Sequence, residues 1–210
     1  MDRKMIFKDL FGKKGYKLDL RFMIDDGNDH PLAILVPGGG YQVVCSFVEG
    51  TPIARKLNEK GISAAIVYYA TRNKGKCPKP IDDLARGVKE VLALKDRYHL
   101  DIDHYSLWGA SAGGHLAAEF CSDNLGADNY DLPKPDTLVL SYPVVTMDRK
   151  YTHMGSHDTF IGKDAVLIIH FFITCPIPQK GSGEIGSDMF FHACHLFILN
   201  RSILAYKGIV

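Results

Sequence analysis

The chain has 210 residues, of which 46% are hydrophobic, so it is long enough to bury one core and too apolar for a disordered segment. Its 25 basic and 24 acidic residues nearly balance, which argues against nucleic acid or an anionic membrane surface as partner. We therefore expect a single domain over residues 1–210 that acts on a small molecule.

The N-terminal sequence and the cysteines indicate where the chain works. The first residues, MDRKMIFKDL, show no apolar segment typical of a signal peptide, and no run reaches the roughly 18 apolar residues that span a bilayer. The cysteines are odd in number and form no CxxC pair; they are Cys45, Cys77, Cys121, Cys175 and Cys194. This pattern favours a reduced, cytoplasmic protein.

Strands and helices alternate along the first 145 residues. Short apolar runs rich in β-branched and aromatic residues predict buried strands, and stretches with helical spacing lie between them. The second such stretch starts with Asp82 and Asp83, which suit the first turn of a helix. The predicted strands are 31–37, 62–70, 104–109 and 136–145, and the predicted helices are 51–60 and 80–98. The pattern predicts an α/β fold with a mostly parallel sheet, helices on both faces, and a binding site at the carboxyl ends of the strands.

Two glycine clusters follow predicted strands. PGGGY follows the first, and GASAGGHLAA follows the third. Gly109, Ser111 and Gly113 spell G-x-S-x-G, a strand-turn-helix elbow that lifts a serine hydroxyl above a sheet. A serine in a glycine-rich helix start is also a common cap, so the motif depends on its context between an apolar strand and a helical run.

The glycine triplet fits the same chemistry. Acyl transfer places negative charge on a carbonyl oxygen, which backbone amides can stabilise. Glycines at 38–40 would let the main chain turn its amides toward that oxygen, and Ala112, next to Ser111, would supply another donor. A plain loop remains the alternative; a phosphate loop does not fit, because no G-K-[ST] follows.

Several segments together resemble a known family. VPGGGY, EGTPIARKLNEKGISAAIVYYA, PKPIDDLARGVKEV, WGASAGGHLAA and SYPVV, in this order, are similar to the α/β-hydrolase fold, specifically to bacterial acetyl-esterase and acetylxylan-esterase-like proteins of the lipase/esterase group. The resemblance covers residues 17–162. It implies a serine hydrolase of small carboxylic esters, often acetyl groups on sugars, that needs no cofactor and no metal.

The resemblance also implies roles for single residues. Ser111 is expected to be the nucleophile, with Gly39, Gly40 and Ala112 as oxyanion-hole donors. Tyr41 and Glu49 match positions near the mouth of the pocket, without an assigned role. Asp83 matches a motif aspartate and is interpreted as a structural cap.

The tail, 165–210, departs from the family pattern. A serine needs a histidine to take its proton and a carboxylate to orient that histidine, and the family places both after later strands. The run AVLIIHFFI at 165–173 fits a further strand, but no acidic residue follows until Glu184. Residues 187–210 are interpreted as one hydrophobic helix or an irregular apolar tail.

Three explanations for the missing base remain open. His192 or His195, with Glu184 or Asp188, completes a rerouted triad; or the chain after Asp164 is truncated or frame-shifted and has no base. In the third, loop histidines such as His153 or His157 take over, although their ordinary reading is a solvated loop. His115, one turn into the elbow helix, is interpreted as structural.

Two consequences follow for partners and function. The sheet edge near 136–145 would be exposed unless the tail folds back over it or a homodimer covers it. The alternative to an active esterase is a silent hydrolase-fold protein that binds a ligand or partner. A peptidase of the same fold is less favoured, because no extra substrate-selecting domain is present.

Overall fold

The computed structural model describes residues 9–11, 17–123, 125–163 and 196–200. In these residues the strands are β1 Asp9–Phe11, β2 Lys17–Phe22, β3 His30–Val36, β4 Ser63–Tyr68, β5 Leu100–Ala110, β6 Thr137–Ser141 and β7 Leu196–Asn200. The α-helices are α1 Ser46–Glu49, α2 Thr51–Glu59, α3 Lys79–Leu92, α4 Lys95–Tyr98, α5 Ser111–Phe120 and α6 Met154–Phe160, and 3₁₀ turns lie at Arg72–Lys74 and Ala127–Tyr130.

The strands form a single mixed sheet. Their order is β1-β2-β4-β3-β5-β6-β7. The pairs β3/β4, β3/β5 and β5/β6 are parallel, which confirms the predicted parallel centre. The outer pairs β1/β2, β2/β4 and β6/β7 are antiparallel, and the sequence reasoning did not anticipate β1 and β2.

Apolar side chains cover both faces of the central strands, because neighbouring residues in a strand point to opposite sides. In β3, Ile34 and Val36 pack into the larger cluster, which includes residues of α3 and α5. Ala33 and Leu35 pack into the smaller cluster with α2. The helix α5, which begins at Ser111, therefore lies on the face with the larger core.

Some predicted boundaries were wrong. The predicted helix 80–98 is two helices, α3 and α4, because the chain turns at Ala93 and Leu94 and so brings Tyr98 into the core. The helix starts at Lys79, so Asp83 lies beyond the first turn and only Asp82 occupies it. The strand predicted at 136–145 ends at Ser141, ahead of Pro143, which has no amide hydrogen for a sheet.

The last described strand belongs to the tail. Leu196–Asn200 is a strand, so the interpretation of 187–210 as one helix was wrong over these residues. It pairs with β6 in antiparallel register, with Leu196 opposite Ser141 and Asn200 opposite Thr137. This agrees with the expectation that the tail folds back over the β6 edge. The strand predicted at 165–173 lies outside the described residues.

No helix among the described residues combines the length and the apolar character needed to cross a membrane.

Candidate active site

Ser111 occupies a sharp turn between β5 and α5. It is the first residue of α5, and its φ of 50° lies in the left-handed region, which costs a non-glycine residue about 1–2 kcal/mol. A β-carbon on Gly113 would lie 2.0 Å from the Val36 carbonyl oxygen and 2.5 Å from that of Pro37. Glycine is thus required at position 113, because α5 directly contacts the end of β3 there.

The glycine triplet lies against this turn. A β-carbon on Gly38 would be 2.7 Å from Cβ of Ser111 and 2.6 Å from the Ala110 carbonyl oxygen. Gly39 and Gly40 follow with φ of 126° and 62°, values that a side chain would make costly. The main chain of residues 38–40, which we call the glycine loop, therefore passes directly beside the predicted nucleophile.

The backbone amides of the loop have different partners. The Gly38 amide donates to Oε2 of Glu49 at 2.6 Å, and the Tyr142 hydroxyl donates to Oε1 of the same carboxylate at 2.9 Å. Within the described residues, the amides of Gly39 and Gly40 donate to no acceptor. Ala112 lies in the first turn of α5, where amides have no partner inside the helix. These three amides are the donors that the sequence predicts for an oxyanion hole.

A buried polar layer lies beneath the glycine loop. The Tyr41 ring is fully buried, and its hydroxyl lies 2.9 Å from Nδ1 of His115 on α5. Nε2 of His115 lies 3.6 Å from Oε1 of Glu119. Burial lowers the pKa of His115 to about 3 and raises the pKa of Glu119 to about 7. His115 is therefore neutral near pH 7 and lies in the interior, in agreement with its structural interpretation.

Residues 142–163, which we call the second wall, face the glycine loop. His153 precedes α6, and its Nδ1 accepts a hydrogen bond from the Ser156 amide at 3.2 Å. A β-carbon on Gly40 would lie 3.4 Å from Cε1 of His153, so this ring is next to the loop. His157 is completely buried, with Nδ1 3.1 Å from Oδ1 of Asp158. The solvated-loop interpretation was therefore wrong for His157, which is buried on α6, whereas His153 is exposed and lies just ahead of that helix.

A base for Ser111 does not emerge from this part of the chain. Over residues 17–123 and 125–163, no histidine forms a hydrogen bond with the Ser111 hydroxyl. Nε2 of His157 has no partner among the described atoms. The remaining candidates, His192 and His195 with Glu184 or Asp188, lie outside the described residues. In the described segments, no group of three potential ligands could hold a metal ion.

Asp83 has a structural role in another part of the fold. Its side chain is fully buried on α3, and Oδ2 accepts a hydrogen bond from the Ala70 amide at 2.9 Å. The Lys79 ammonium contacts the other oxygen. Asp83 thus ties α3 to the chain after β4. This role is structural, as interpreted, but it is not a helix cap, because Asp83 lies beyond the first turn of α3 and accepts from Ala70 instead.

Large apolar side chains are exposed in the loops around the site. Phe47, the most exposed of them, has 87% of its surface accessible. The sequence reasoning did not identify these residues as a group. All of them follow the carboxyl end of β3 or β6, and this position along the chain could have located them. The apolar rim consists of Val43, Phe47, Val48, Tyr142, Val145 and Tyr151.

Comparisons with known proteins agree with this geometry. The BD-FAE family model matches residues 18–128. The chain is 31% identical over 152 residues to endo-1,4-beta-xylanase B of Butyrivibrio fibrisolvens, and 30% identical over 129 residues to an acetylxylan esterase of Xylanibacter ruminicola. Among solved structures, it resembles an acetyl ester-xyloside bifunctional hydrolase from Caldicellulosiruptor lactoaceticus, with a TM-score of 0.61 and 28% identity over 74% of this chain and 59% of that one. A lipase/esterase from Lactobacillus plantarum, 22% identical with a TM-score of 0.60, shares the fold over 75% of this chain and 69% of its own.

The extent of these matches differs between the chain and its relatives. The xylanase match covers 67% of this chain and 23% of the relative, and the acetylxylan esterase match covers 61% and 26%. The chain thus spans about a quarter of the length of these curated relatives. The family match, in contrast, includes more than half of the chain, together with the glycine loop and the Ser111 elbow. The chain belongs to the BD-FAE family, with the α/β-hydrolase fold.

Proposed function

We propose that this chain hydrolyses small carboxylic esters, with Ser111 as nucleophile and the amides of Gly39, Gly40 and Ala112 as the oxyanion hole. Ester hydrolase and xylan-related relatives support this class of reaction. The observation that carries the proposal is the close approach of the glycine loop to Ser111: a β-carbon on Gly38 would lie 2.7 Å from Cβ of Ser111. The next amides, those of Gly39 and Gly40, have no acceptor within the described residues, which supports a role as donors to a substrate oxygen.

The proposed reaction has two halves. Oγ of Ser111 gives its proton to a base and bonds to the acyl carbon, the carbonyl π electrons move to oxygen, and the amides stabilise the resulting anion. The carbonyl then re-forms, the C–O bond to the alcohol breaks, and the alcohol leaves with the proton that Ser111 gave up. In the second half, a water molecule gives a proton to the base and bonds to the acyl carbon, and the acid leaves as Oγ of Ser111 takes that proton back. Donors fixed before the reaction stabilise this charge without reorganising, and one such donor is worth about 3 kcal/mol.

Acetylated sugars are the substrate class that we favour. One relative is named an acetylxylan esterase, and one similar solved structure is an acetyl ester-xyloside bifunctional hydrolase. Because Gly38 leaves little space beside Ser111, a small acyl group fits the loop side of the site. The apolar rim offers Phe47 and Tyr142 to the alcohol part of the substrate. A homodimer through the tail is a further proposal, tested by the oligomeric state in solution.

One observation favours a second candidate function. The Ser111 hydroxyl has no histidine partner within residues 17–123 and 125–163. A hydrolase fold without a base would bind an ester or a protein in the same cleft without turning it over. Because oxyanion holes alone can leave roughly 10³-fold to 10⁴-fold catalysis, slow turnover would not distinguish the two functions.

Covalent labelling with a fluorophosphonate probe distinguishes them, because the probe reacts with an activated serine and needs no knowledge of the substrate. We expect rapid labelling of the natural chain, none of Ser111→Ala, and unchanged labelling of Ser122→Ala, which removes a serine at the other end of α5. Absence of labelling in a folded natural chain would overturn the esterase proposal in favour of the binding function. If labelling occurs, single replacements of His153, His157, His192 and His195 identify the base.

A further inference from the structure

Tyr41 connects the glycine loop to the interior. It directly follows Gly40, has a φ of 58° and is fully buried. A left-handed conformation is costly for a bulky aromatic residue, so contacts of its side chain must hold it there. Its ring centroid lies 4.7 Å from that of Phe160 and 5.7 Å from that of Tyr69. The glycine loop is therefore fixed immediately after its last residue by the side chain of Tyr41, which points into the protein interior.

The polar end of this side chain reaches the nucleophile helix. The Tyr41 hydroxyl lies 2.9 Å from Nδ1 of His115, and His115 follows Ser111 by one turn of α5. The His115 ring also packs edge-on against Phe160, with centroids 5.0 Å apart. One buried hydrogen bond thus joins the two parts of the candidate site from below.

The protonation states of His115 and Tyr41 bear on which of the two donates this hydrogen bond. Burial lowers the pKa of His115 to about 3, so its imidazole is neutral and one ring nitrogen accepts. Burial also raises the pKa of Tyr41, so its hydroxyl keeps its proton. This buried hydrogen has no acceptor other than Nδ1 of His115 among the described residues, so the hydroxyl donates to it. With Nδ1 as acceptor, the hydrogen of His115 is on Nε2, the nitrogen that faces Glu119. An apolar residue at 115 would leave the Tyr41 hydroxyl buried without an acceptor, at a cost of about 1–3 kcal/mol.

We propose that His115 is a positioning residue that, through Tyr41, holds the glycine loop in register with the Ser111 elbow. It touches neither the substrate nor the reacting atoms. The catalytic consequence rests on the proposed function, because the loop must keep its amides beside Ser111 as charge develops on the carbonyl oxygen.

The test uses four variants of the full chain. Tyr41→Phe and His115→Leu remove the donor and the acceptor of the buried hydrogen bond, whereas His115→Asn keeps an acceptor near the position of Nδ1. Leu57→Ala is the stability control, because Leu57 packs in the cluster on the other face of the sheet. For each folded variant we measure the maximal labelling rate with the fluorophosphonate and the probe concentration that gives half of that rate.

Positioning predicts a lower maximal rate at a similar half-saturating concentration. We expect about a tenfold loss for Tyr41→Phe and His115→Leu, partial recovery in His115→Asn, and no loss in Leu57→Ala. Equal rates in all variants, or the same loss in Leu57→Ala, would overturn the proposal.

Amide hydrogen exchange separates this proposal from the proposed function. The Gly38 amide donates to Glu49 and the Cys45 amide donates to the Gly38 carbonyl, so both amides report on the loop. The Leu132 amide, which donates to the Ala127 carbonyl, lies outside the loop and is the control. We expect Tyr41→Phe to accelerate exchange at Gly38 and Cys45 about tenfold more than at Leu132. If the natural chain is not labelled, the esterase proposal fails. The positioning role is then decided by the exchange rates alone, and equal acceleration at Gly38, Cys45 and Leu132 overturns it.

Discussion

The glycine loop and the second wall face each other across Ser111, yet they are built differently. The loop is shaped by main-chain contacts too close for a β-carbon and by the buried Tyr41. The second wall carries exposed side chains, including Tyr142, Val145 and Tyr151, and a helix of 7 residues. Backbone contacts thus fix the position of the glycine loop relative to Ser111, whereas several side chains of the second wall have no such constraint and are exposed to solvent.

The largest expected effect compares Gly113, on α5 where it packs against the chain that leads into the glycine loop, with Gly155 in the second wall. In Gly113→Ala the new β-carbon would lie 2.0 Å from the Val36 carbonyl oxygen, so we expect a loss of at least about 4 kcal/mol in the free energy of unfolding, or no folding. In Gly155→Ala the nearest atom is Cε1 of the exposed His153 ring at 3.0 Å, which can move, and alanine favours the helix. We expect a change within about 1 kcal/mol. Denaturant unfolding measures both, and similar losses would contradict the comparison.

A second test concerns the charge beneath the loop. Burial raises the pKa of Glu119 to about 7 from an unfolded value of 4.5. Its contribution to stability is therefore present below pH 4.5 and is lost as the pH rises through 7. His115 acts in the opposite sense, because its folded pKa of about 3 lies below the ordinary histidine value of 6.5. Its contribution to stability therefore falls as the pH drops below 6.5. Of the other groups near Glu119, Tyr41 and Cys77 have pKa values raised by burial and do not titrate in this window.

Replacing the carboxyl group isolates its effect. Relative to the natural chain, we expect Glu119→Gln to gain about 2 kcal/mol in the free energy of unfolding between pH 5 and pH 8. Urea unfolding at the two pH values, each with natural chain and variant, measures this difference. A variant whose stability follows the natural chain at both pH values would show that Glu119 ionises normally.

The smallest expected effects lie at Glu49, which connects both sides of the site. Its carboxylate accepts hydrogen bonds from the Gly38 amide and the Tyr142 hydroxyl. We expect Glu49→Ala to lose about 1 kcal/mol of stability and to slow fluorophosphonate labelling, because the loop loses an acceptor. Glu49→Gln keeps an acceptor and should stay close to the natural chain, and Tyr142→Phe should lose about 0.5 kcal/mol. A faster reaction in Glu49→Ala would indicate that the negative charge, rather than the loop contact, matters there.

The sequence predicted the parts of the site that depend on backbone geometry. Gly113 and Ser111 follow a strict steric requirement, so their spacing predicted the turn at the end of β5. The connection from Tyr41 to His115 spans 74 residues and has no local pattern, so only the fold reveals it. His157 was misread for a related reason: seven residues of α6 are too few to show a helical period, and the packing of α6 against the rest of the protein buries its imidazole.

The central strands were predictable, and the outer ones less so. β3 and β4 are nearly continuous apolar runs because they are covered on both faces. β2, with the sequence KLDLRF, alternates polar and apolar residues, but Asp19 is buried and bonded to Arg21. Such pairing hides a charged residue inside the sheet, which composition alone does not reveal.

The antiparallel direction of β7 determines where the chain enters the sheet. Leu196 pairs with Ser141, and Ser141 pairs with Ala110, the neighbour of Ser111. The strand therefore starts at the edge of the sheet that carries Ser111, and α6 begins near this edge too, because His153, just ahead of α6, lies next to Gly40. A parallel strand would require a crossover back to the opposite edge. The antiparallel direction instead puts Leu196, the first residue of β7, on the side of the sheet where the ester would bind under the proposed function.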